Sequence, residues 1–494
     1  MAQRDLKSAT ISSLFWKLFE QGGSALIQLV VQIVMARLLA PNEFGMLAIM
    51  LVFVNVGNVI VQSGLNTAII QAPEVTERDY DTVFWMSLAI SLILYLAVFL
   101  AAPAVAAFYH MPQIVSPLRV LVLILVVNAY NSIQEAIVAR ELDFNKTFRA
   151  TVTAAVASGI AGIGSAVAGA GLWALVVQQL SFQVVKCLVL AIQVPWKPRP
   201  RFDRVRAREL FSFGWKLLAS GVIDQLYQSF SDLVIGRVFD STSLGYVNQG
   251  KRYPQALGIV LDGAIQPVML SAVSRVQEDL GRVKRLVRRA LKTSTFLIVP
   301  SMVLFALVAR PLVLILLGQK WLPAVPFLQM YCLIYALLPI NTTNLQSLNG
   351  MGRSDVFLRL ELIKKAIGVT LICFTAFVLH NLYAIVAAQV LAGFVYNFIN
   401  AFPNKQVIGY SYLEQIRDVA PAFGLAALAY AVGSLVALLP LSTVPMLLLQ
   451  IIAFGVTYLG LAWLLRVEEL RYLVGTVRGM RGSGGNGNAD ASDC

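Results

Sequence analysis

The chain has 494 residues, of which 58% are hydrophobic and only 13% charged, with a formal net charge of +13 and a mean hydropathy of +0.73. Soluble proteins carry about a quarter charged residues, so an ordinary soluble fold is excluded and a bilayer-embedded one is expected. The basic excess falls in the gaps between apolar runs, where it sets orientation in a membrane, and nucleic acid is not an expected partner.

Runs of about 20 apolar residues predict about 14 spanning helices and an all-α integral membrane protein. They cover 11–38, 44–70, 82–107, 117–138, 149–169, 171–193, 211–237, 244–268, 292–317, 325–349, 355–378, 382–402, 418–438 and 444–466. The first run is too long for a signal-peptide core and is expected to stay as a span. Six spans form an N-lobe (1–193), a basic cytoplasmic linker follows (194–210), six more form a C-lobe (211–402), and two spans (403–466) precede a disordered Gly- and Asn-rich tail (467–494). With the N-terminus inside, roughly 27 basic residues fall on cytoplasmic loops and tails against roughly three outside, which places both termini in the cytoplasm. The cluster Arg282–Arg289, RVKRLVRR, is expected to lie over anionic lipid headgroups.

The opening helix returns about 200 residues later. Leu14 to Gly45 reads LFWKLFEQGGSALIQLVVQIVMARLLAPNEFG, and Phe213 to Gly245 reads FGWKLLASGVIDQLYQSFSDLVIGRVFDSTSLG. Gln28, Arg37 and Gly45 match Gln228, Arg237 and Gly245. Further on, Gln134, Asp143 and Phe144 match Gln346, Asp355 and Val356 at one constant offset. Spans one to six therefore map onto seven to twelve as parallel repeats.

Polar residues recur along both opening helices at three- and four-residue steps. Lys17, Gln21, Ser24, Gln28 and Gln32 mark the first, and Lys216, Ser220, Asp224, Gln228 and Asp232 the seventh. Lipid does not tolerate two such stripes, so they are expected to face a wet cavity, the dry helix interface being the competing arrangement. Charges inside spans are costly, which singles out Glu20, Asp224, Asp232, Asp262, Lys251, Arg252, Glu135, Lys186, Glu361, Lys364 and Lys365. Lys17, Lys216, Lys251 and Arg252 are the candidate substrate-binding cations, matched to a pyrophosphate or an acidic sugar. Glu20, Asp224 and Asp232 are candidate counter-charges or coupling sites for H+ or Na+. Gln21, Ser24, Gln28, Gln32, Ser220 and Gln228 are the expected polar lining.

Catalytic and metal signals are weak. Cys187, Cys332, Cys373 and Cys494 make no disulfide or metal spacing, and His110 and His380 read as interfacial residues at helix ends. Asp79-Tyr80-Asp81 has a metal-holding D-x-D form but follows Thr76 at a helix start and reads as a cap. No Walker-type phosphate loop is present, so no catalytic residue, metal or resident cofactor is expected, and this chain is not expected to be an enzyme.

RLLAPNEFGMLA, then GLNTAIIQ, then AIVARELDFNKTFRA closing the fourth span, resemble the polysaccharide-transport (Wzx-type) branch of the multidrug/oligosaccharidyl-lipid/polysaccharide (MOP) exporter superfamily, nearest to colanic-acid-exporter-like members. The resemblance implies two pseudo-symmetric six-helix lobes forming a V around a central cavity, plus two C-terminal helices. It also implies a flippase of the bacterial inner membrane, moving an undecaprenyl-pyrophosphate-linked oligosaccharide repeat unit by alternating access for exopolysaccharide, capsule or O-antigen (lipopolysaccharide) synthesis. Expected partners are that lipid-linked substrate, membrane lipids, and the polysaccharide polymerase and chain-length or export machinery. The competing readings are a cation-coupled small-molecule (multidrug) exporter on the same scaffold, a membrane glycosyltransferase or polymerase, and a scaffold for biosynthetic enzymes.

Overall fold

The computed structural model describes residues 23–62, 65–72, 74–263 and 265–471, and these are helical with no strand among them. Lys17, Glu20 and Gln21 lie outside the described residues. Contacts divide the chain into two compact units, 1–248 and 249–494. The first unit holds α1 (Gly23–Leu38), α2 (Pro41–Gln62), α3 (Leu65–Gln71), α4 (Glu77–Phe108), α5 (Val115–Leu121), α6 (Leu123–Glu141), α7 (Phe144–Val167), α8 (Leu172–Gln193), α9 (Arg204–Val238) and the first two turns of α10 (Ser241–Gly263). The second holds the rest of α10 with α11 (Ile265–Arg275), α12 (Leu280–Leu307), α13 (Ala309–Leu316), α14 (Val325–Ala336), α15 (Leu338–Gly350), α16 (Ser354–Phe377), α17 (Leu382–Ile408), α18 (Tyr412–Leu435) and α19 (Thr443–Leu464).

Ten helical stretches among the described residues are long and apolar enough to cross a membrane. The described residues of the expected spans at 11–38, 211–237, 244–268 and 355–378 are helical too, as α1, α9, α10 with α11, and α16, but fall outside that set. The physical reason is composition. α9, α10 and α16 carry the polar rows and embedded charges, and only 16 residues of α1 are described.

The sequence repeat reappears as repeated local geometry. α1 ends at Leu38 and α2 begins at Pro41; α9 ends at Val238 and α10 begins at Ser241. Gly45 and Gly245 then pack backbone to backbone. A Cβ built on Gly45 would collide with the Ser241 carbonyl oxygen and lie 3.0 Å from the Gly245 nitrogen. One built on Gly245 would collide with the Pro41 carbonyl oxygen and lie 3.4 Å from the Gly45 nitrogen. Membrane helices use small residues in this way, because without a side chain the backbones themselves make the contact. In α7 the buried stripe Ala155, Ser158, Gly159 and Gly162 does the same, Gly159 meeting Val31 of α1 and Gly162 meeting Gln178 of α8.

Helix ends follow local chemistry. Before α4, the Thr76 backbone N–H and hydroxyl donate to Asp79 Oδ2 at 2.8 and 3.0 Å, the capping arrangement expected of that motif. Ser411 and Glu414 form a second capping box at α18. His110 and His380 follow α4 and α16 in left-handed conformation, with φ of 56° and 48°.

The basic linker is a strap. Trp196 is buried against Tyr130, Phe84 and Tyr80. Arg199 pairs with Glu77 at 3.0 Å, its N–H donates to Asp81 Oδ1 at 3.2 Å, and Arg206 pairs with Asp79 at 3.0 Å. Both acids of the D-x-D triplet therefore serve the strap.

Part of the Arg282–Arg289 cluster is engaged within the protein: Lys284 pairs with Glu414 at 3.0 Å and Arg288 with Asp418 at 2.7 Å, while Lys292, beyond the cluster, pairs with Glu469 at 3.2 Å. Lys284, Arg288 and Lys292 are four residues apart on α12, as Glu414 and Asp418 are on α18, so one helical ridge meets another. Tyr410 completes the contact by donating its hydroxyl to Asp418 at 2.7 Å, and burial, reinforced by Asp418, raises the titration point of that phenol. Half of this cationic helix end is thus occupied in docking α18 and the segment after α19.

Candidate functional site

α9 starts where the Asp203 side chain accepts the backbone N–H groups of Val205 and Arg206 at 2.9 and 3.1 Å. Its 35 residues make a helix of about 52 Å. Along it, Arg204, Arg208, Ser212, Lys216, Ser220, Asp224, Gln228 and Asp232 follow one another at every fourth position. Such a row winds slowly around the axis as a continuous polar ridge. It is cationic at its start and anionic further in.

The first part of that ridge lines a cavity of about 1070 Å³, with Arg204, Arg208, Ser212 and Lys216 beside Glu209 and Leu217. Lys216 and Ser220 are exposed. Further along, Gln228 donates to Asp224 at 2.7 Å, and Asn248 donates to Asp232 at 3.4 Å. The structure therefore brings Lys216 together with two arginines that the sequence had marked only as orientation signals. A four-residue count carried back from Lys216 would have found them.

The polar positions of α1 are placed differently. Gln32 is 2% exposed and donates its amide to Gln178 of α8 at 3.4 Å, and Ser24 is buried as well. Gln28 is half-buried. Gln32 thus sits in a helix interface, because Gly162 lets α8 approach closely enough for the two amides to meet.

On α10, Lys251 and Arg252 are half-buried. They lie about 15 Å along the helix from Ser241, and no carboxylate among the described residues makes an ion pair with either. Tyr253 is buried and its hydroxyl accepts from Gln249 at 2.7 Å. Pro254 follows, and as a residue without an N–H it leaves the Gly250 carbonyl without its helical donor. The other embedded cations differ. Lys186 of α8 pairs with Glu135 of α6 at 2.5 Å, and Lys364 of α16 pairs with Glu361 at 2.5 Å. Arg237 ends α9 with its guanidinium over the Phe108 ring, 5.0 Å from the centroid.

Residues 34–326 match the family model described as "Polysaccharide biosynthesis protein". The lipopolysaccharide biosynthesis protein WzxC of Escherichia coli (strain K12) is 23% identical over 443 residues, covering 87% of this chain and 88% of that one. The succinoglycan biosynthesis transport protein ExoT of Rhizobium meliloti (strain 1021) is 24% identical over 349 residues, 71% of each chain. In fold the chain is similar to the lipid II flippase MurJ in its inward closed conformation, with a TM-score of 0.74 at 15% identity, covering 93% of this chain and all of that one. A chain of many apolar helices with these relatives is a multi-pass membrane protein, and it belongs to the polysaccharide biosynthesis protein family, with the fold of MOP-superfamily transporters.

Proposed function

We propose that this protein is a flippase that carries an undecaprenyl-pyrophosphate-linked oligosaccharide repeat unit across the bacterial inner membrane, for exopolysaccharide, capsule or O-antigen synthesis. It spans the membrane 14 times, counting α1, α9, α10 with α11, and α16. Its repeats run over 1–193 and 211–402, joined by the linker and followed by two further spans. Both termini are cytoplasmic, and transport proceeds by alternating access.

One observation carries the reading. Lys251 and Arg252 lie within a spanning helix with no carboxylate partner among the described residues, whereas Lys186 and Lys364 each have one. A half-buried cation within a span and without a counter-ion is unfavourable unless a ligand supplies the negative charge, and a pyrophosphate supplies two or more. Arginine offers it a fork and lysine a point charge. The cationic start of the α9 ridge supports the same substrate class, and the names of WzxC, ExoT and MurJ support lipid-linked sugar transport. Binding must differ between the two facings of the protein, since a ligand with equal affinity for both shifts nothing.

The test is sidedness. In cells depleted of the protein, a membrane-impermeant sugar label should find the lipid-linked unit missing from the periplasmic face, and re-expression should restore it. Replacing Lys251 and Arg252 together with Ala should abolish that restoration at equal protein level. Normal labelling in depleted cells would overturn the function, and full restoration by the double variant would overturn the site.

A further inference from the structure

Asp262 stands near the end of α10, and it is 4% exposed. Its Oδ2 accepts the hydroxyl of Thr342 of α15 at 2.8 Å and the amide of Gln266 of α11 at 3.4 Å. Its Oδ1 is buried and has no hydrogen-bond partner among the described residues. The elements around it offer no counter-charge. α15 contains no ionisable residue, α11 contains only Arg275 nine residues beyond Gln266, and α14 contains only Tyr331, Cys332 and Tyr335. On α10 itself, Lys251 and Arg252 precede Asp262 by about 15 Å along the axis. Its hydrogen-bond partners among the described residues are Thr342 and Gln266.

A carboxylate in this setting is incomplete. Two other embedded acids, Glu135 and Glu361, each have a lysine at 2.5 Å. An ionised carboxylate buried without a partner is strongly unfavourable, and two hydrogen bonds to one oxygen do not neutralise its charge. One positive charge at Oδ1 would. A single carboxylate balances a single charge, and the described residues hold no group of three or more His, Cys, Asp or Glu suited to a multivalent ion.

We infer that Asp262 is the binding site for one monovalent cation, H+ or Na+, taken up at Oδ1 during the transport cycle. A proton converts the carboxylate to the neutral acid, with the new O–H on Oδ1 and the Thr342 bond kept on Oδ2. Sodium binds as an ion at the same oxygen, beside the Thr342 hydroxyl, with no bond broken. In either form the charge of this part of the second unit changes by one, which is what coupling to an ion gradient requires. The inference rests on the transport reading above. It names as the coupling site a residue other than Asp224 and Asp232.

The experiment uses the purified full chain in detergent and two probes, pH and 22Na+. Infrared difference spectra across neutral pH report a protonated carboxyl group through its C=O band, and equilibrium binding reports sodium. Wild type should give one of the two signals, at one site per chain, and monodisperse Asp262→Asn should lose it. Thr342→Val keeps the side-chain shape but removes one hydrogen bond to the charged group, and should shift the midpoint or the sodium affinity about tenfold. It provides the test if Asp262→Asn does not fold. Survival of the signal in Asp262→Asn, an unshifted Thr342→Val, or absence of both signals in wild type would overturn the inference. The sidedness measurement is separate. Restored periplasmic labelling with an Asp262-independent cation signal leaves the flippase standing without this site, and a lost cation signal in a chain that moves no lipid-linked sugar leaves the site standing without the flippase.

Discussion

The contact between Gly45 and Gly245 makes the sharpest prediction about stability. In Gly45→Ala the added methyl would overlap the Ser241 carbonyl oxygen and lie 2.6 Å from the Ser241 carbonyl carbon and 3.0 Å from the Gly245 nitrogen. Ordinary contacts are about 3.5–4 Å, so the starts of α2 and α10 must part by about 2 Å to clear the closest overlap. The obstacles are backbone atoms and cannot swing aside, which places the cost toward the upper part of the ~1–3 kcal/mol typical of overpacking. Alanine recovers up to ~1 kcal/mol of helix propensity, leaving a net loss of about 1–2 kcal/mol. For a unit of this size that is a fall in melting temperature of about 2–8 °C. Gly245→Ala should behave alike, and the double variant should lose less than the sum, because one separation of the helices relieves both clashes. Gly164→Ala on α7 is the control, since nothing lies within 4 Å of its Cβ position, and it should melt at or above wild type. Thermal melting of the detergent-purified proteins measures all four. A Gly45→Ala protein as stable as Gly164→Ala, or strict additivity in the double variant, would refute the reasoning.

Three further outcomes are expected. Lys186→Met strands Glu135, whose side chain is 37% exposed, so the loss should stay at or below about 3 kcal/mol, and Glu135→Gln with Lys186→Met should recover most of it in thermal melts. Arg288→Ala removes the ion-pair partner of Asp418, whose side chain is 4% exposed, and should loosen α18 on α12, seen as faster proteolysis at Gly409–Ser411 and a smaller response of that proteolysis to salt than in wild type. Lys216→Glu should cut sugar-lipid translocation about tenfold or more, while Lys216→Arg keeps most of it, because the α9 cavity would meet its substrate through charge-assisted hydrogen bonds; equal activity of the two variants would remove Lys216 from the site.

Much of this protein was legible in its sequence, for identifiable reasons. Apolar runs of bilayer length fixed the membrane class, and every expected span coincides with helix among the described residues, because a backbone in hydrocarbon has to satisfy its hydrogen bonds within the segment. The repeat was legible because the same residues recur at matching positions, and Gly45 and Gly245 stand where two backbones touch and a side chain is costly. Thr76 and Asp79 were legible as a cap because capping is local, decided within four residues.

Partnerships between distant residues were not legible, since a one-dimensional pattern gives the phase of a side chain on its own helix but not the neighbour across from it. Gln28 and Gln32 lie on one stripe, yet only the approach of α8 at Gly162 decides that Gln32 meets Gln178. The cations of α12 look like a membrane-facing cluster until α18 supplies acids at the same four-residue spacing. Lys186 and Lys251 look alike as lysines embedded in spans, and tertiary packing alone gives the first a carboxylate at 2.5 Å and leaves the second with none among the described residues. The sequence by itself determined which segments are helical and apolar and where charge falls within them, because hydropathy and helical phase are properties of single segments. Which of those charges meet a partner of opposite sign was decided only by the tertiary structure, because an ion pair needs a second group within about 4 Å, brought there by helix packing.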